Sequence, residues 1–274
     1  MRTAIELSPR QATYRHDLAL LLLKQTKPLE ALAELDRADQ LQPKYAEAQT
    51  AAALALENLR RLPEAIARLR QALEWEPTNA RVAALLGKCL VDSGRLAEGA
   101  KTLQRAIDLD PTHAPARFEF GNSLTYQGRF AEAVASYRKA LTLDGARIDG
   151  RLALGSALLA MRHTDEAQRE WRDVLRRDPD NAVALGFLGL TEAALGRHDE
   201  ALTLCDRALE LKPTDFTALF SRGQVFAVIG RFKDARADLQ KALVVGPPHH
   251  PQRPVVTNMM KSLEAHAKME MNLN

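Results

Sequence analysis

The chain has 274 residues, of which 46% are hydrophobic and 5% aromatic, and its 38 basic and 35 acidic side chains leave a net charge of +3. Because these charges are nearly balanced and form no dense basic block, the composition argues against a nucleic-acid-binding protein. The early apolar run at residues 18–23 is far shorter than the ~20 residues of a membrane-spanning helix, and Asp17 and Lys24 flank it, so no membrane insertion is expected.

Residues 1–11 are predicted to be the end of a helix, because the stretch from Ala4 to Leu7 is followed by Pro9. No partner helix precedes this ending. It is either a capping helix or the end of a truncated repeat. We favour truncation, because a cap usually has a more polar outer face. A lost upstream segment could have held a secretion signal or another domain.

The same helix ending returns at a constant interval of 34 residues along the chain. The residues that close it are Pro9, Pro43, Pro77, Pro111, Gly145, Pro179, Pro213 and Pro247. A fixed period of roughly 20–50 residues is typical of a repeat array. The period therefore decides the fold class before any single motif does.

Residues 182–215 show what one period contains. Leu185, Leu188 and Leu195 lie at helical spacing, Gly196 interrupts them, and a second apolar stripe runs on to Pro213. Glycine at a helix end and proline just beyond the next helix are typical stop signals. Each period is thus predicted to be helix, turn, helix.

Small residues return at fixed positions of both predicted helices. The glycines of the first helix are Gly87, Gly121, Gly155, Gly189 and Gly223. Glycine costs about 1 kcal/mol relative to alanine inside a helix, so its return needs a packing reason. We infer that the two helices of a pair approach each other closely at these positions.

The pattern of Leu-Gly, Ala, a large apolar residue, Ala and Pro resembles tetratricopeptide (TPR) repeats. The resemblance covers seven repeats over residues 12–249 and implies an all-α fold, a right-handed α-solenoid of helix-turn-helix units. The sequence departs from the family in two ways. The usual aromatic residue early in the first helix is absent, and repeat five has Arg162 where glycine is common.

Residues 250–274 are predicted to be a linker followed by a capping helix. Val256, Met259, Met260 and Leu263 share one apolar face, which would cover the last repeat. The alternative is a Met-rich helix that binds a partner. The pair His249 and His250 has no third ligand at a suitable spacing, so we interpret it as linker rather than metal site.

No motif for catalysis, cofactor or metal binding is present, and a non-catalytic protein is expected. Acidic residues do recur early in the second helix, where they complement the helix dipole. They are Glu64, Glu132, Glu166 and Glu200. Cys89 and Cys205 are interpreted as small buried residues, and the lack of a disulfide framework fits a reducing compartment such as the cytoplasm.

The resemblance implies that first helices line a concave groove in which a partner peptide or helix lies. From repeat four onward, the positions that would face the groove become apolar with a few polar side chains. The predicted partner-binding residues are Phe118, Asn122, Tyr126, Leu152, Ser156, Leu159, Gly186, Leu190, Phe220 and Gln224. The alternatives are burial by curvature of the array, or burial by a second copy of the chain in a homodimer.

The predicted function is a non-catalytic protein-protein interaction scaffold that uses mainly repeats four to seven. The alternative is the recognition arm of a larger bacterial enzyme, similar to a sulfotransferase or glycosyltransferase, with its catalytic domain elsewhere. TPR co-chaperones hold acidic C-termini with a two-carboxylate clamp. Lys88 and Asn122 occupy clamp positions here, but the neighbouring cationic residues are absent.

Overall fold

The computed structural model describes residues 11–246 and 252–273, and within these ranges it contains fifteen helices and no strand. The helices are α1 (Ala12–Lys24), α2 (Pro28–Leu41), α3 (Ala46–Asn58), α4 (Leu62–Trp75), α5 (Ala80–Asp92), α6 (Leu96–Leu109), α7 (Ala114–Tyr126), α8 (Phe130–Leu143), α9 (Ile148–Ala160), α10 (Thr164–Arg177), α11 (Ala182–Ala194), α12 (His198–Leu211), α13 (Phe216–Val228), α14 (Phe232–Val245) and α15 (Arg253–Leu273). The predicted all-α solenoid of helix pairs is confirmed. The predictions for residues 1–10 and for His249 and His250 lie outside the described residues.

The chain divides into two compact units, residues 1–127 and 128–274. Among the described helices, unit one contains α1–α7 and unit two contains α8–α15. The division falls in the turn of repeat four. Repeats one to three therefore lie wholly in unit one, and repeats five to seven lie wholly in unit two.

The recurring glycines mark close contacts between the two helices of a repeat. A Cβ atom added at Gly87 would lie 2.5 Å from Leu103 Cγ, and one at Gly189 would lie 2.5 Å from Cys205 Sγ. Neither side chain could stay where it is if the glycine were larger. The packing reason inferred for these glycines is confirmed at Gly87, Gly155, Gly189 and Gly223.

Polar contacts take the place of the missing aromatic residue in several repeats. In each of them, the residue at that position contacts a side chain 19 positions later, on the second helix of the same repeat. The pairs are Arg15–Glu34 at 2.8 Å, Arg68–Gln49 at 3.0 Å and Arg151–Glu170 at 2.9 Å. In repeat six, Leu185 and Leu204 occupy the two positions and belong to the apolar core.

All seven turns between paired helices place one residue in the left-handed region of the backbone. These residues, with their φ angles, are Thr26 (58°), Arg60 (60°), Gly94 (83°), Gly128 (74°), Arg162 (64°), Gly196 (79°) and Gly230 (79°). A non-glycine residue pays about 1–2 kcal/mol for this conformation because its Cβ approaches the backbone. Arg162, which takes the place of this glycine in repeat five, therefore carries a conformational cost.

We expect Arg162→Gly to stabilise unit two by about 0.5–1 kcal/mol, since relief of backbone strain exceeds the entropy that glycine adds to the unfolded chain. Gly196→Ala, at the same turn position of the next repeat, is the matched control. No atom lies within 4 Å of its added Cβ, so its expected loss of about 1 kcal/mol reflects φ alone. Urea denaturation measures both changes. An Arg162→Gly variant no more stable than wild type would contradict the strain assignment.

The C-terminal helix α15 packs on the last repeat. Val256 is fully buried, and Met259, Met260 and Leu263 contact the apolar cluster that contains Phe220. Arg253 Nη1 also donates to the backbone oxygen of Gly246 at 3.1 Å. The apolar face of α15 is thus used within the chain, and its role as a cap stays a prediction.

Candidate functional site

A buried polar network fixes the first helix of repeat six, α11, against α10. Gln168 Nε2 donates to Thr191 Oγ1 at 2.8 Å and to Glu192 Oε1 at 3.1 Å. The Glu192 side chain is 4% exposed, and its carboxylate is compensated by Arg197 Nε at 2.6 Å and Arg172 Nη2 at 3.4 Å. A buried carboxylate with these partners holds its helix in one orientation, because any shift would leave the charge unpaired.

Trp171 joins the helices of repeats five and six. Its side chain is fully buried, and its ring stacks on Phe187 with 4.8 Å between centroids and 10° between planes. Its Nε1 donates to the backbone oxygen of Leu152 at 3.4 Å. A Cβ atom added at Gly155 would overlap the indole ring, so this glycine makes room for it. Helices α9, α10 and α11 therefore form a well-supported platform.

Four of the predicted partner-binding residues lie on two helices of this platform and are partly open to solvent, and together they are called the open face below. Leu152, Ser156 and Leu159 on α9, and Leu190 on α11, are each half-buried. By contrast, Leu188, two residues before Leu190, is 5% exposed and lies in the core. The open face is apolar, with one hydroxyl group among three leucines.

Two exposed apolar residues lie at the ends of neighbouring first helices and were not among the predicted site residues. Leu195 directly follows α11 and is 53% exposed, and Val228 ends α13 and is 62% exposed. Neither place is apolar throughout the array. The places equivalent to Leu195 hold Gln25, Leu59, Ser93, Gln127, Met161 and Ile229, and those equivalent to Val228 hold Lys24, Asn58, Asp92, Tyr126, Ala160 and Ala194.

Three further predicted residues of unit two lie inside helix contacts. Gly186 is buried, and a Cβ atom there would be 3.1 Å from Ala218 Cα, so α11 and α13 touch at this point. Phe220 is 3% exposed, and Gln224 Nε2 lies 3.7 Å from Met259 Sδ of α15. Gly186 of α11 lies against α13, and Phe220 of α13 belongs to the apolar cluster on which α15 packs, so neither residue offers an open surface.

The remaining predicted residues belong to unit one, on α7. Phe118 is 7% exposed, and Asn122 Nδ2 donates to Glu119 Oε2 at 3.0 Å. Tyr126 is 41% exposed. Burial raises the pKa of its hydroxyl, and the nearby carboxylates Asp92 and Glu119 raise it further. Of these three residues, only Tyr126 offers a largely exposed side chain.

Lys88 is already neutralised by unit one itself. Its Nζ lies 2.5 Å from Glu57 Oε1 and 2.9 Å from Asp92 Oδ2. Burial by itself would lower the pKa of Lys88, but the hydrogen bonds to the two carboxylates outweigh this effect and raise it. A lysine held by two acids does not attract a partner's carboxylate, which agrees with the missing clamp in the sequence.

The recurring glutamates have structural partners. Arg61 Nη2 lies 2.6 Å from Glu64 Oε2, and Arg129 Nη2 lies 2.6 Å from Glu132 Oε2, in each case across the first turn of the second helix. Hydrogen bonds from these arginines lower the pKa of both glutamates. The pairs explain the recurrence of the acids without any catalytic role.

Both cysteines are free and buried, as predicted. Burial raises the pKa of the Cys89 and Cys205 thiols to about 12, so both stay protonated at neutral pH. Among the side chains that the structure describes, no group of three or more His, Cys, Asp or Glu could hold a metal ion. No helix in the described ranges combines the length and the apolar character that crossing a membrane requires.

Several solved structures have the same fold, and the match to this chain covers nearly the whole length of each of them. One is a tetratricopeptide repeat protein from Parabacteroides merdae, with a TM-score of 0.74, 14% identity, and coverage of 93% of this chain and 99% of that chain. PilF of Pseudomonas aeruginosa gives a TM-score of 0.66, 22% identity, and coverage of 76% and 95%. MamA of Desulfovibrio magneticus gives a TM-score of 0.56 and 18% identity, and the match covers 62% of this chain and 96% of that chain.

Sequence profiles of one family match successive parts of the chain. Profiles described as tetratricopeptide repeat match residues 22–89, 59–118 and 152–216, and one described as TPR repeat matches residues 121–161. No curated protein matches the sequence significantly. The profile matches agree with the 34-residue period and with the paired helices of the structure. The chain therefore belongs to the tetratricopeptide repeat family.

Proposed function

We propose that the open face of α9 and α11 binds an apolar partner, either an amphipathic helix or an extended peptide. The observation that carries the proposal is the row of half-buried leucines, Leu152, Leu159 and Leu190, on helices that Trp171 and the Glu192 network hold in place. An exposed apolar surface on a folded domain tends to be a binding surface. A rigid platform reduces the ordering cost of association.

The tetratricopeptide fold supports a protein-interaction scaffold in general. Neither the family matches nor the structural neighbours support the alternative function, the recognition arm of a sulfotransferase-like or glycosyltransferase-like enzyme. The scaffold proposal therefore needs only a surface, and α9 and α11 supply one.

Within this surface the side chains have different roles. Leu190 is the proposed anchor, because a leucine side chain that becomes fully buried on association removes apolar surface from water. Ser156 is the polar member of the face, and its hydroxyl is placed to hydrogen-bond the backbone of the partner and set its register. Phe220 and Gly186 are left out of the proposal, since helix contacts bury both.

Leu190→Asp is expected to weaken partner binding by about 2–4 kcal/mol, the scale of a hot-spot loss. Its melting temperature should fall far less than that of a core substitution, because Leu190 is only partly buried. Leu211→Asp is the matched control, since Leu211 is 40% exposed but lies at the end of a second helix, α12. The partner is first identified by cross-linking in native extract. Titration calorimetry with this partner then measures the affinities of both variants. Equal affinities for the two variants would contradict the assignment of this face.

A second copy of the chain is the competing occupant of the same surface. Sedimentation velocity over a range of protein concentrations separates the two cases. If the wild type is a dimer and Leu190→Asp dissociates it, the occupant of this surface is a second copy of the chain. If the wild type is a monomer, the surface is free to bind another protein. A cytoplasmic location, expected from the two free cysteines, stays a prediction.

A further inference from the structure

The second helix of repeat five, α10, carries a cluster of arginines around a surface cavity. The cavity has a volume of about 490 Å³ and is lined by Arg169, Arg172, Asp173, Leu175 and Arg176. The three arginines are spaced three and four residues apart, so they follow one face of the helix. The open face proposed above lies on first helices, and this cavity is therefore a separate surface of unit two.

The cavity carries an excess of positive charge. Arg172 is 56% exposed and Arg176 is 76% exposed. Arg169 is also exposed and makes no ion pair among the residues that the structure describes. Asp173 is the one acid in the lining, and it is already shared between Arg176 and Arg151, whose Nη1 lies 3.5 Å away. Arg172 is paired with Glu192 and Arg176 with Asp173, so the unpaired positive charge of the cluster lies on Arg169.

We propose that this cavity binds an acidic peptide segment that also carries an aliphatic side chain. The planar guanidinium groups of Arg169 and Arg176 suit paired hydrogen bonds to carboxylates. Leu175 and the methylene stems of the arginines supply apolar surface for the aliphatic residue. Charge and shape together favour a short segment of Asp or Glu around one Leu or Ile.

A polyanion such as nucleic acid fits this surface less well. The same helix carries Asp165, Glu166 and Glu170 next to the cluster, and these acids repel a continuous phosphate backbone. The whole chain has a net charge of only +3. A short peptide has only a few carboxylates, so it meets less of this repulsion than a polyanion does.

The test titrates the full chain into a fluorescein-labelled five-residue peptide, a leucine flanked by two glutamates on each side. The fluorescence anisotropy of the peptide is measured at low ionic strength. The double variant Arg169→Glu, Arg176→Glu is expected to bind about tenfold more weakly, since each reversal turns an attraction into a repulsion. Arg172 is kept, because it compensates the buried Glu192. The matched control Arg236→Glu, an exposed arginine on α14, should stay within about twofold of wild type.

Three results would overturn the proposal. They are an unsaturable anisotropy signal for the wild type, equal affinities for the double variant and the control, and tighter binding of a labelled oligothymidine than of the peptide. Circular dichroism of both variants checks the fold, and exposed arginines should leave melting unchanged. Weaker binding of the double variant with an unchanged melting curve supports the site.

Discussion

Leu188→Asp is expected to unfold the region around α11, with a loss of about 4 kcal/mol or more in the free energy of unfolding of unit two. Leu188 is 5% exposed, so the new carboxylate would enter the core next to other apolar side chains. Burying an unpaired charge is among the most destabilising single changes, because the charge loses its hydration and gains no partner. The change also removes the apolar contacts of the leucine.

The measurement is urea denaturation followed by tryptophan fluorescence. Trp171 reports on unit two, whereas Trp75 lies in unit one, at the end of α4. Leu190→Asp, the same substitution two residues later, is the internal comparison and should shift the transition far less. If Leu190→Asp destabilised the chain as strongly as Leu188→Asp, Leu190 would belong to the core and the open face would not exist.

Trp171→Ala is expected to cost about 3–5 kcal/mol, the range for removing a buried aromatic side chain. The indole is fully buried, stacks on Phe187 and reaches the backbone oxygen of Leu152. Gly155 leaves a space shaped for the ring, so its loss creates a cavity that the neighbouring helices cannot close easily. Partner binding should weaken as well, because α9 and α11 lose their common support.

Trp75→Ala is the matched control, since Trp75 is half-buried and packs at the edge of the unit-one core. Its expected loss is smaller, about 1–2 kcal/mol, because less apolar surface leaves water when it folds. The chain has 2 tryptophans, and each variant loses the one that reports on its own unit, so circular dichroism during urea denaturation measures both losses. A Trp171→Ala variant with wild-type stability would show that the indole is not the support described here.

The repeat architecture could be predicted from the sequence because its causes are local. The 34-residue spacing, the helix stops and the small residues between paired helices depend on neighbours within one repeat. Gly189 illustrates this, since its contact, Cys205, lies on the second helix of its own repeat. Arg162 also follows the rule, because the turn requires a left-handed residue whether or not glycine is available.

The candidate site could be predicted only in part, since the exposure of a first helix depends on the helix two places further along the chain. Leu190 and Gln224 occupy equivalent repeat positions, yet Gln224 contacts Met259 of α15 and Leu190 lies on the open face. Gly186 and Phe220 are likewise equivalent, and the helix two places further along packs against each of them. A repeat position names a face of the helix, but the packed neighbour decides whether that face stays open.

The most direct test of the binding face is site-specific photo-cross-linking in native extract. A benzophenone side chain is placed at position 190, at position 224, or at position 211 on the second helix α12. The proposed face predicts adducts with another protein from position 190, cross-links within the chain from position 224, and neither kind in quantity from position 211. Adducts from position 211 that equal or exceed those from position 190 would contradict it.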